Sequence, residues 1–298
     1  MVGISGYCGI KDKMLLNKMT NALRHTNKEM IDIYENKNIS ISRVHHGKIN
    51  PEKQPIFNED NSKFIVMMGE VFDYENKKKD LIEKGYKFKF ENNASEYCLH
   101  LYEEFGKEGL RELNGSFCII IYDLKNKELF LISDRFSSWP IYYCHIGNKL
   151  FFSTELSSLL ESDETPRDLD ICSIFEFFNF QTILGTKTFY KYVRIVPSST
   201  VLNYRNGKIE VEKYWQFRYK RKNYSKKEYV ERLSNALRKC ITLRLDGNYK
   251  FGLLLSGGLD SRAVLAASNN RDIVTFSFGH DETNLEVEVA KKIAKIKN

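Results

Sequence analysis

The residues best suited to chemistry lie near the end of the chain, in the segment SGGLDS at positions 256–261. The apolar run FGLLL precedes it and RAVLAAS follows it, a pattern that predicts a strand, a tight turn and a helix. The N–H groups at a helix N-terminus bind phosphate oxygens, and glycine lets a ligand approach the main chain. The segment therefore predicts a phosphate-binding loop, to which Ser256 and Ser261 add hydroxyl donors and Asp260 a ligand for Mg²⁺.

A serine-glycine turn without a ligand is the alternative, because paired glycines also follow strands for backbone reasons alone. The strand, turn and helix context favours the phosphate-binding loop. The segment is not a GxxxxGK[ST] loop, so we expect cleavage between the α- and β-phosphates of a nucleotide, with release of pyrophosphate.

The sequence around the loop predicts a small parallel α/β domain. A helix over residues 225–245 has Ser225 as a candidate N-cap and Glu228 three residues later. The strand FGLLLS, a helix over 260–267, the strand DIVTFSF and a helix over 285–297 follow. This βαβα order is typical of a doubly wound sheet, but such sheets usually have about four to six strands. We therefore expect further chain or a second protein to complete the sheet.

The first two hundred residues predict a largely antiparallel structure. The candidate strands are KFIVMMGEVF, SFCIIIYDL, ELFLISD, PIYYCHI, KLFFSTE and TVLNY. Short polar connections predict two hairpins, FCIIIY with LFLIS and IYYCHI with LFFST. Several strands are apolar at successive positions, which indicates that both sheet faces are covered. With helices predicted over 13–25 and 95–105, a layered α/β sandwich fits.

Length and charge set the expected organisation. The 298 residues suit two domains, at 1–217 and 227–298, joined by a basic linker at 218–226. The net charge is +7, but basic and acidic residues alternate, so nucleic-acid binding is not favoured. No apolar run approaches the roughly 18 residues of a membrane span. Six cysteines without a CxxC pair indicate reduced core residues, and the expected location is the cytoplasm.

Segments throughout the chain are similar to asparagine synthetases of the glutamine-hydrolysing type. MVGISGY resembles the family's MCGIFGY opening, LRHTN its HRG segment and MGEVFDYENKKKDLIEKGYKF its NGEIYNY stretch. SDRFSSWPIYY resembles RDRFGxKPLYY, and KLFFSTELSSLL resembles FxFASExKAL. PRDLD, RIVPSSTVL, EKYWQF and LLLSGGLDSRAVLA then follow in the family's order. The resemblance therefore extends over most of the chain.

The resemblance implies an α/β fold in two parts. An N-terminal Ntn-hydrolase-like αββα sandwich, as in class II glutamine amidotransferases, would precede a truncated doubly wound parallel domain of the PP-loop ATPase type. ATP and Mg²⁺ would activate a small-molecule carboxylate as an acyl-adenylate, which ammonia or an amine converts to an amide. A homodimer, or a second chain that completes the C-terminal domain, is compatible with this pattern.

The resemblance also implies a set of nucleotide-binding residues. Leu254 and Phe278 would line the adenine site. The phosphates would contact the residues of the loop itself, with Asp260 as the Mg²⁺ ligand: Ser256, Gly257, Gly258, Leu259, Asp260 and Ser261.

The family pattern fails at the glutaminase nucleophile. In the family, removal of the initiator methionine exposes a cysteine whose thiol attacks the glutamine amide while its α-amine serves as base. Here Val2 holds that position, so we expect no glutamine hydrolysis. Met68 replaces the asparagine of NGE, which removes an oxyanion donor, and Ala94 replaces an aspartate.

Three residues of the glutamine site remain as a vestigial set, namely Arg43, Gly69 and Glu70. Arg43 could clamp a ligand carboxylate bidentately or be a surface residue beside a sheet edge. Cys8 also begins a CGI sequence, and processing before it would expose a terminal cysteine. Residues 2–7 already match the family's opening strand, so we expect Cys8 to be a core cysteine.

The chain ends at Asn298, before the family's second phosphate-proximal segment and its adenylate-forming lysine. Four acidic residues near this end could ligate a metal, although a solvated acidic helix start is expected: Asp281, Glu282, Glu286 and Glu288. Three hypotheses follow. The chain is an amide-forming ligase that uses ammonia or an amine, an intramolecular amide ligase like the β-lactam synthetases and lasso-peptide cyclases, or a non-catalytic protein that binds ATP or a partner.

Overall fold

A computed structural model describes residues 2–10, 12–247, 249–268, 272–280 and 284–297. The chain divides into two compact units, residues 1–217 and 218–298. None of the helices described is long and apolar enough to cross a membrane.

The first unit is built mainly of strands. The strands are β1 (Gly3–Cys8), β2 (Met30–Glu35), β3 (Ile39–His45), β4 (Ile56–Phe57), β5 (Lys63–Phe72), β6 (Asn114–Asp123), β7 (Glu128–Ser133), β8 (Tyr142–Ile146), β9 (Lys149–Ser153), β10 (Val193–Ile195), β11 (Thr200–Arg205) and β12 (Lys208–Lys213). The helices are α1 (Lys13–Ala22), α2 (Glu75–Glu83), α3 (Ala94–Phe105), α4 (Lys107–Leu110), α5 (Leu156–Leu159) and α6 (Ile171–Phe180).

These strands form two six-stranded antiparallel sheets. The first has the order β10-β8-β9-β1-β3-β2 and the second the order β12-β11-β7-β6-β5-β4. Both predicted hairpins are confirmed, because β6 pairs with β7 and β8 with β9 in antiparallel register. The predicted strands are therefore distributed over two stacked sheets.

Apolar side chains fill three layers of this unit. The layer between the two sheets includes Ile4, Ile41, Phe64, Ile120, Phe152 and Leu202. A second layer joins the outer face of the second sheet to α3 and α4, and a third joins the first sheet to α1 and α5. Strands that are apolar on both faces require such cover on both sides. The αββα sandwich is therefore confirmed.

Two expectations about this unit need correction. Helix α1 ends at Ala22, not at His25, because the backbone N–H groups of His25 and Thr26 donate to the Glu29 carboxylate (3.4 and 2.9 Å) instead of to helix carbonyls. Four cysteines are buried as expected, but Cys172 is exposed on α6. The sequence of α6 is apolar, but the helix is not buried, and its phenylalanines are also largely exposed.

The second unit contains α7 (Lys226–Arg244), β13 (Phe251–Leu254), α8 (Leu259–Ala267), β14 (Ile273–Phe276) and α9 (Leu285–Lys297). The two strands are parallel, as predicted. Ser225 caps α7 and forms a reciprocal capping box with Glu228. The buried apolar core comprises Leu255, Leu265 and Ala290. With so small a core, most of α7 stays exposed, and the expectation that Cys240 is a core residue is wrong.

Candidate functional site

The SGGLDS loop lies at the carboxyl end of β13, where the chain turns into α8. The backbone N–H of Ser256 donates to Oγ of Ser261 (3.1 Å), and the two hydroxyl oxygens are 3.1 Å apart. The N–H of Gly258 donates to Oγ of Ser256 (3.1 Å). The two serines thus close the loop by bonding each other across it. In open parallel sheets, ligands bind at the carboxyl ends of the strands, where this loop lies.

Helix α8 begins with N–H groups that receive no side-chain cap. Its N-cap residue is Gly258 (φ −73°, ψ 161°), which has no side chain to offer as an acceptor. Uncapped first-turn N–H groups and the positive end of the helix dipole attract anions. Neither glycine of the loop has a positive φ. Glycine is therefore not needed here for a left-handed backbone, and its contribution is the space left by the missing side chain. A Cβ atom at Gly258 would lie 3.1 Å from Oγ of Ser256.

Three apolar side chains near the loop are exposed. Leu254 is 66% exposed, Leu259 76% and Phe278 79%. Leu254 is in register with Phe276, the last residue of β14. Leu254 and Phe278 therefore both lie at the carboxyl end of the two parallel strands. The residues predicted to line the adenine site therefore lie at the same end of this sheet as the loop, with apolar surface available for a base.

The acidic residues near the loop do not form a metal cluster among the residues described. Asp260 is exposed in the first turn of α8. Glu286 and Glu288 are exposed in the first turn of α9, as expected of a solvated helix start. A Cβ atom at Gly257 would lie 3.4 Å from Cα of Glu286, so α9 begins close to the loop. Two further candidates lie outside the described residues, Asp281 and Glu282.

The nucleophile position in the first unit contributes to packing. Val2 is partly buried against the layer between the two sheets, and Met68, 7% exposed, belongs to the same layer. Neither side chain carries a group that can attack, or donate to, an amide. Two of the three positions that the sequence analysis singled out as losses therefore lie in the same apolar layer.

The guanidinium group of Arg43 is buried among polar groups of β2, β3 and the connection after β3. It contacts Asp32 through Nη2 (2.7 Å) and Nε (2.9 Å), and donates to the carbonyls of Asn50 (3.0 Å) and Glu52 (2.8 Å). Nη2 also lies 3.3 Å from Nε2 of His45. Arg43 is 1% exposed, so the surface-residue alternative is wrong. A ligand carboxylate that binds bidentately through Nε and Nη2 would have to displace the carboxylate of Asp32.

Asn50 connects the remaining positions of the vestigial set. Its Nδ2 donates to the carbonyl of Gly69 (3.0 Å), and its Oδ1 accepts from the backbone N–H of Ala94 (3.0 Å). Gly69 has φ +93°, and a Cβ atom there would lie 2.0 Å from the carbonyl oxygen of Ser116. The backbone alone therefore requires glycine at position 69. Glu70 follows in β5 and is partly exposed.

Asp32 and Asn50 are the residues that sequence reasoning missed. On the edge strand β2, Ile31 and Ile33 are exposed while Asp32 between them is buried. This alternation is the reverse of the usual one, in which the apolar positions face the core. The available sequence signal for this buried carboxylate is therefore a single aspartate between two isoleucines. The signal is weak, because a solvated edge strand has the same composition.

Burial shifts the pKa values of two titratable side chains in the first unit, His45 and Cys8. Burial lowers the pKa of His45, and the adjacent charge of Arg43 lowers it further. Burial raises the pKa of the Cys8 thiol far above its ordinary range. Cys8 lies at the end of β1 and is 3% exposed in the layer between the sheets. A protonated, enclosed thiol is a poor nucleophile, in agreement with a core cysteine.

Comparisons with protein families match both parts of the chain. The profile described as "Glutamine amidotransferase domain" matches residues 1–215, and the profile described as "Asparagine synthase" matches residues 232–296. The chain belongs to the asparagine synthetase family of glutamine-hydrolysing type. Two relatives from Bacillus subtilis, asparagine synthetases [glutamine-hydrolyzing] 1 and 2, are 25% and 27% identical over 81% and 82% of the chain. The chain spans 38% and 34% of their lengths.

Solved structures agree on the fold. Glutamine phosphoribosylpyrophosphate amidotransferase from Bacillus subtilis, solved with ADP and GMP, has a TM-score of 0.52 at 13% identity, over 92% of this chain and 65% of that one. A structure described as the allosteric regulatory enzyme of purine biosynthesis has a TM-score of 0.53 at 13% identity, over 97% and 69%. At this level of identity the likeness concerns the fold alone.

Proposed function

We propose that the chain is part of an ATP-dependent, amide-forming ligase of the asparagine synthetase type. In this proposal a carboxylate attacks the α-phosphate of ATP, pyrophosphate leaves, and ammonia or another amine converts the acyl-adenylate to an amide. The observation that carries the proposal is the SGGLDS loop at the uncapped N-terminus of α8, at the carboxyl end of a parallel strand. The family match over residues 232–296 supports it.

The two units have different roles in this proposal. Residues 227–298 belong to the ATP-binding domain, where the loop holds the phosphates, Asp260 holds Mg²⁺, and Leu254 and Phe278 contact adenine. Residues 1–217 form an amidotransferase-like domain that does not hydrolyse glutamine. Val2 has no nucleophilic group, and Asp32 occupies the guanidinium of Arg43. The amine therefore reaches the adenylate from solution or from the substrate itself.

The second unit is proposed to work with further chain. Its described sheet has two strands and only five of its described apolar residues are buried, whereas the relatives it matches are more than twice as long. Additional parallel strands, from the same polypeptide or from a second chain, would enlarge the sheet and complete the pocket for the carboxylate.

The test is ATP–pyrophosphate exchange with aspartate and related carboxylates. The chain is assayed alone and together with the product of any neighbouring gene. We expect exchange in at least one combination, and a loss of at least tenfold in Asp260→Asn, because the proposed Mg²⁺ ligand is weakened. Asp272→Asn is the matched control, since Asp272 is also an exposed aspartate of the second unit but lies outside the loop. Absence of exchange in every combination would refute the ligase.

A non-catalytic protein that binds ATP or a partner is the second candidate. The small core of the second unit favours it. Equilibrium dialysis with labelled ATP and Mg²⁺ separates the two proposals, since binding without exchange supports the second. An intramolecular ligase differs from the first proposal in needing no added amine, so exchange followed by product formation without ammonia would identify it.

A further inference from the structure

Three side chains of the first unit converge beside α3 and are separate from the contacts of Arg43. Nδ1 of His100 lies 3.1 Å from Oε2 of Glu103 and 3.9 Å from Oε2 of Glu59. The three ligand atoms all lie within 4.8 Å of one another. We propose that this triad binds a divalent cation of the zinc class, with the imidazole nitrogen and one oxygen of each carboxylate as ligands.

The positions suit a tetrahedral cation. His100 and Glu103 are three residues apart on α3 and so share a helix face, while Glu59 comes from the connection between β4 and β5. With Zn–N and Zn–O bonds of about 2.0–2.2 Å, tetrahedral ligands lie roughly 3.3–3.5 Å apart. The two measured separations lie on either side of this range. The Glu59 side chain is 42% exposed, so it is free to close on a cation and leaves an entry path from solvent.

Each carboxylate is already oriented by its second oxygen. Oε1 of Glu103 accepts from Nδ2 of Asn58 (2.6 Å), and Oε1 of Glu59 accepts from the backbone N–H of Lys87 (3.1 Å). In both residues this leaves Oε2 directed towards His100. Hydrogen bonds that fix the outer atoms of ligands are characteristic of metal sites, because they hold the ligating atoms in position before the ion arrives.

The charge around His100 also favours a divalent cation. Among the residues described, no lysine or arginine nitrogen lies within 4.0 Å of either carboxylate, and the ammonium of Lys89 donates to the Phe57 carbonyl (3.1 Å). His100 is 1% exposed, its Nε2 has no hydrogen-bond partner, and the rings of Tyr86 and Phe88 pack against it. A single N–H at Nδ1 can donate to one carboxylate, whereas a cation of charge +2 can be coordinated by both.

The experiment uses the full chain, stripped with a chelator and titrated with Co²⁺ and Zn²⁺. We expect visible absorption bands of tetrahedral Co²⁺ without a thiolate charge-transfer band, and an increase in Tm with Zn²⁺. Glu59→Gln and Glu103→Gln should each weaken Zn²⁺ binding at least tenfold. Glu59 is partly exposed, so its variant keeps the fold even where a change at the buried His100 would not.

Glu155→Gln is the matched control. Glu155 contacts the ring of His25 at 3.2 Å, a separation like that of Glu103 and His100, but among the described residues no second carboxylate pairs with that ring. Its loss should leave Zn²⁺ affinity unchanged. Equal Zn²⁺ affinity in the unmodified chain, Glu59→Gln and Glu103→Gln would overturn the proposal, as would Co²⁺ spectra without tetrahedral bands.

Discussion

Replacing Arg43 by methionine should destabilise the first unit strongly. The substitution keeps apolar volume but removes the charge that pairs with Asp32 at 2.7 Å, and it leaves the carbonyls of Asn50 and Glu52 without their donor. Asp32 is 8% exposed, and it then keeps contacts with the backbone N–H of Gln54 (3.1 Å) and with Nε2 of His45 (3.4 Å). Removing one partner of a buried pair costs about 3–5 kcal/mol, a large share of the roughly 5–15 kcal/mol that stabilises a domain.

The size of this effect should depend on pH. In the unmodified chain, burial and then the charge of Arg43 lower the pKa of His45. Without Arg43 one of these causes is gone, while the Asp32 carboxylate remains 3.4 Å from Nε2 of His45. The His45 pKa is then higher in the folded variant than in the folded parent, so the variant gains stability relative to the parent as pH falls. The destabilisation should therefore be smaller at pH 5.5 than at pH 8.

Urea denaturation at both pH values measures this effect. Lys125→Met is the control, because Lys125 pairs with Asp60 at 2.7 Å with side chains 69% and 55% exposed, so its loss should leave stability nearly unchanged. A loss below about 1 kcal/mol for Arg43→Met at pH 8 would mean that Asp32 and Arg43 are hydrated, and would refute the argument from burial. A loss that grows on acidification would refute the role given to His45.

Two further predictions concern chemistry in the first unit. Val2→Cys alone should not release glutamate from glutamine at an enzymatic rate, because Asp32 still holds Arg43 and Met68 supplies no donor; a rapid glutaminase in this single variant would contradict that account. Thiol titration of the folded chain at pH 8 should show two fast groups, Cys172 and Cys240, and four that react only after unfolding, because burial shields the others and raises the pKa of Cys118 to about 12. More than two fast thiols would show that the sandwich core is open.

Much of the fold could be predicted because its patterns are local. The polar connections between β6 and β7 and between β8 and β9 specify hairpins over a few residues, and the Ser225 and Glu228 pair specifies the start of α7. The end of α1 could not be predicted in this way. It depends on the Glu29 carboxylate competing for backbone N–H groups, which is a contact made only once the chain has turned.

The two candidate sites differ in the same way, because one could be identified from a local sequence pattern and the other could not. The SGGLDS loop is contiguous, so its serines, glycines and helix start can be identified together from the sequence. The surroundings of Arg43 are not contiguous, since Asp32, Asn50 and Glu52 come from β2 and from the connection after β3. Which of them contacts the guanidinium depends on strand register, which places Asp32 of β2 opposite Arg43 of β3. Residue types alone left that arginine equally compatible with a ligand clamp and a surface position.

The positions that the proposed function treats as a lost glutamine site contribute to the stability of the domain. Val2 and Met68 pack in the layer between the sheets, and Asp32 balances a buried arginine. Replacing Met68 by a polar amide would place that amide in an apolar layer, at a cost of about 1–3 kcal/mol if unpaired. Removing Asp32 would leave Arg43 buried without its partner. Each reversal therefore lowers stability before it can contribute to catalysis, so we expect a glutaminase to be recovered only by several compensated changes, and not by any one of them.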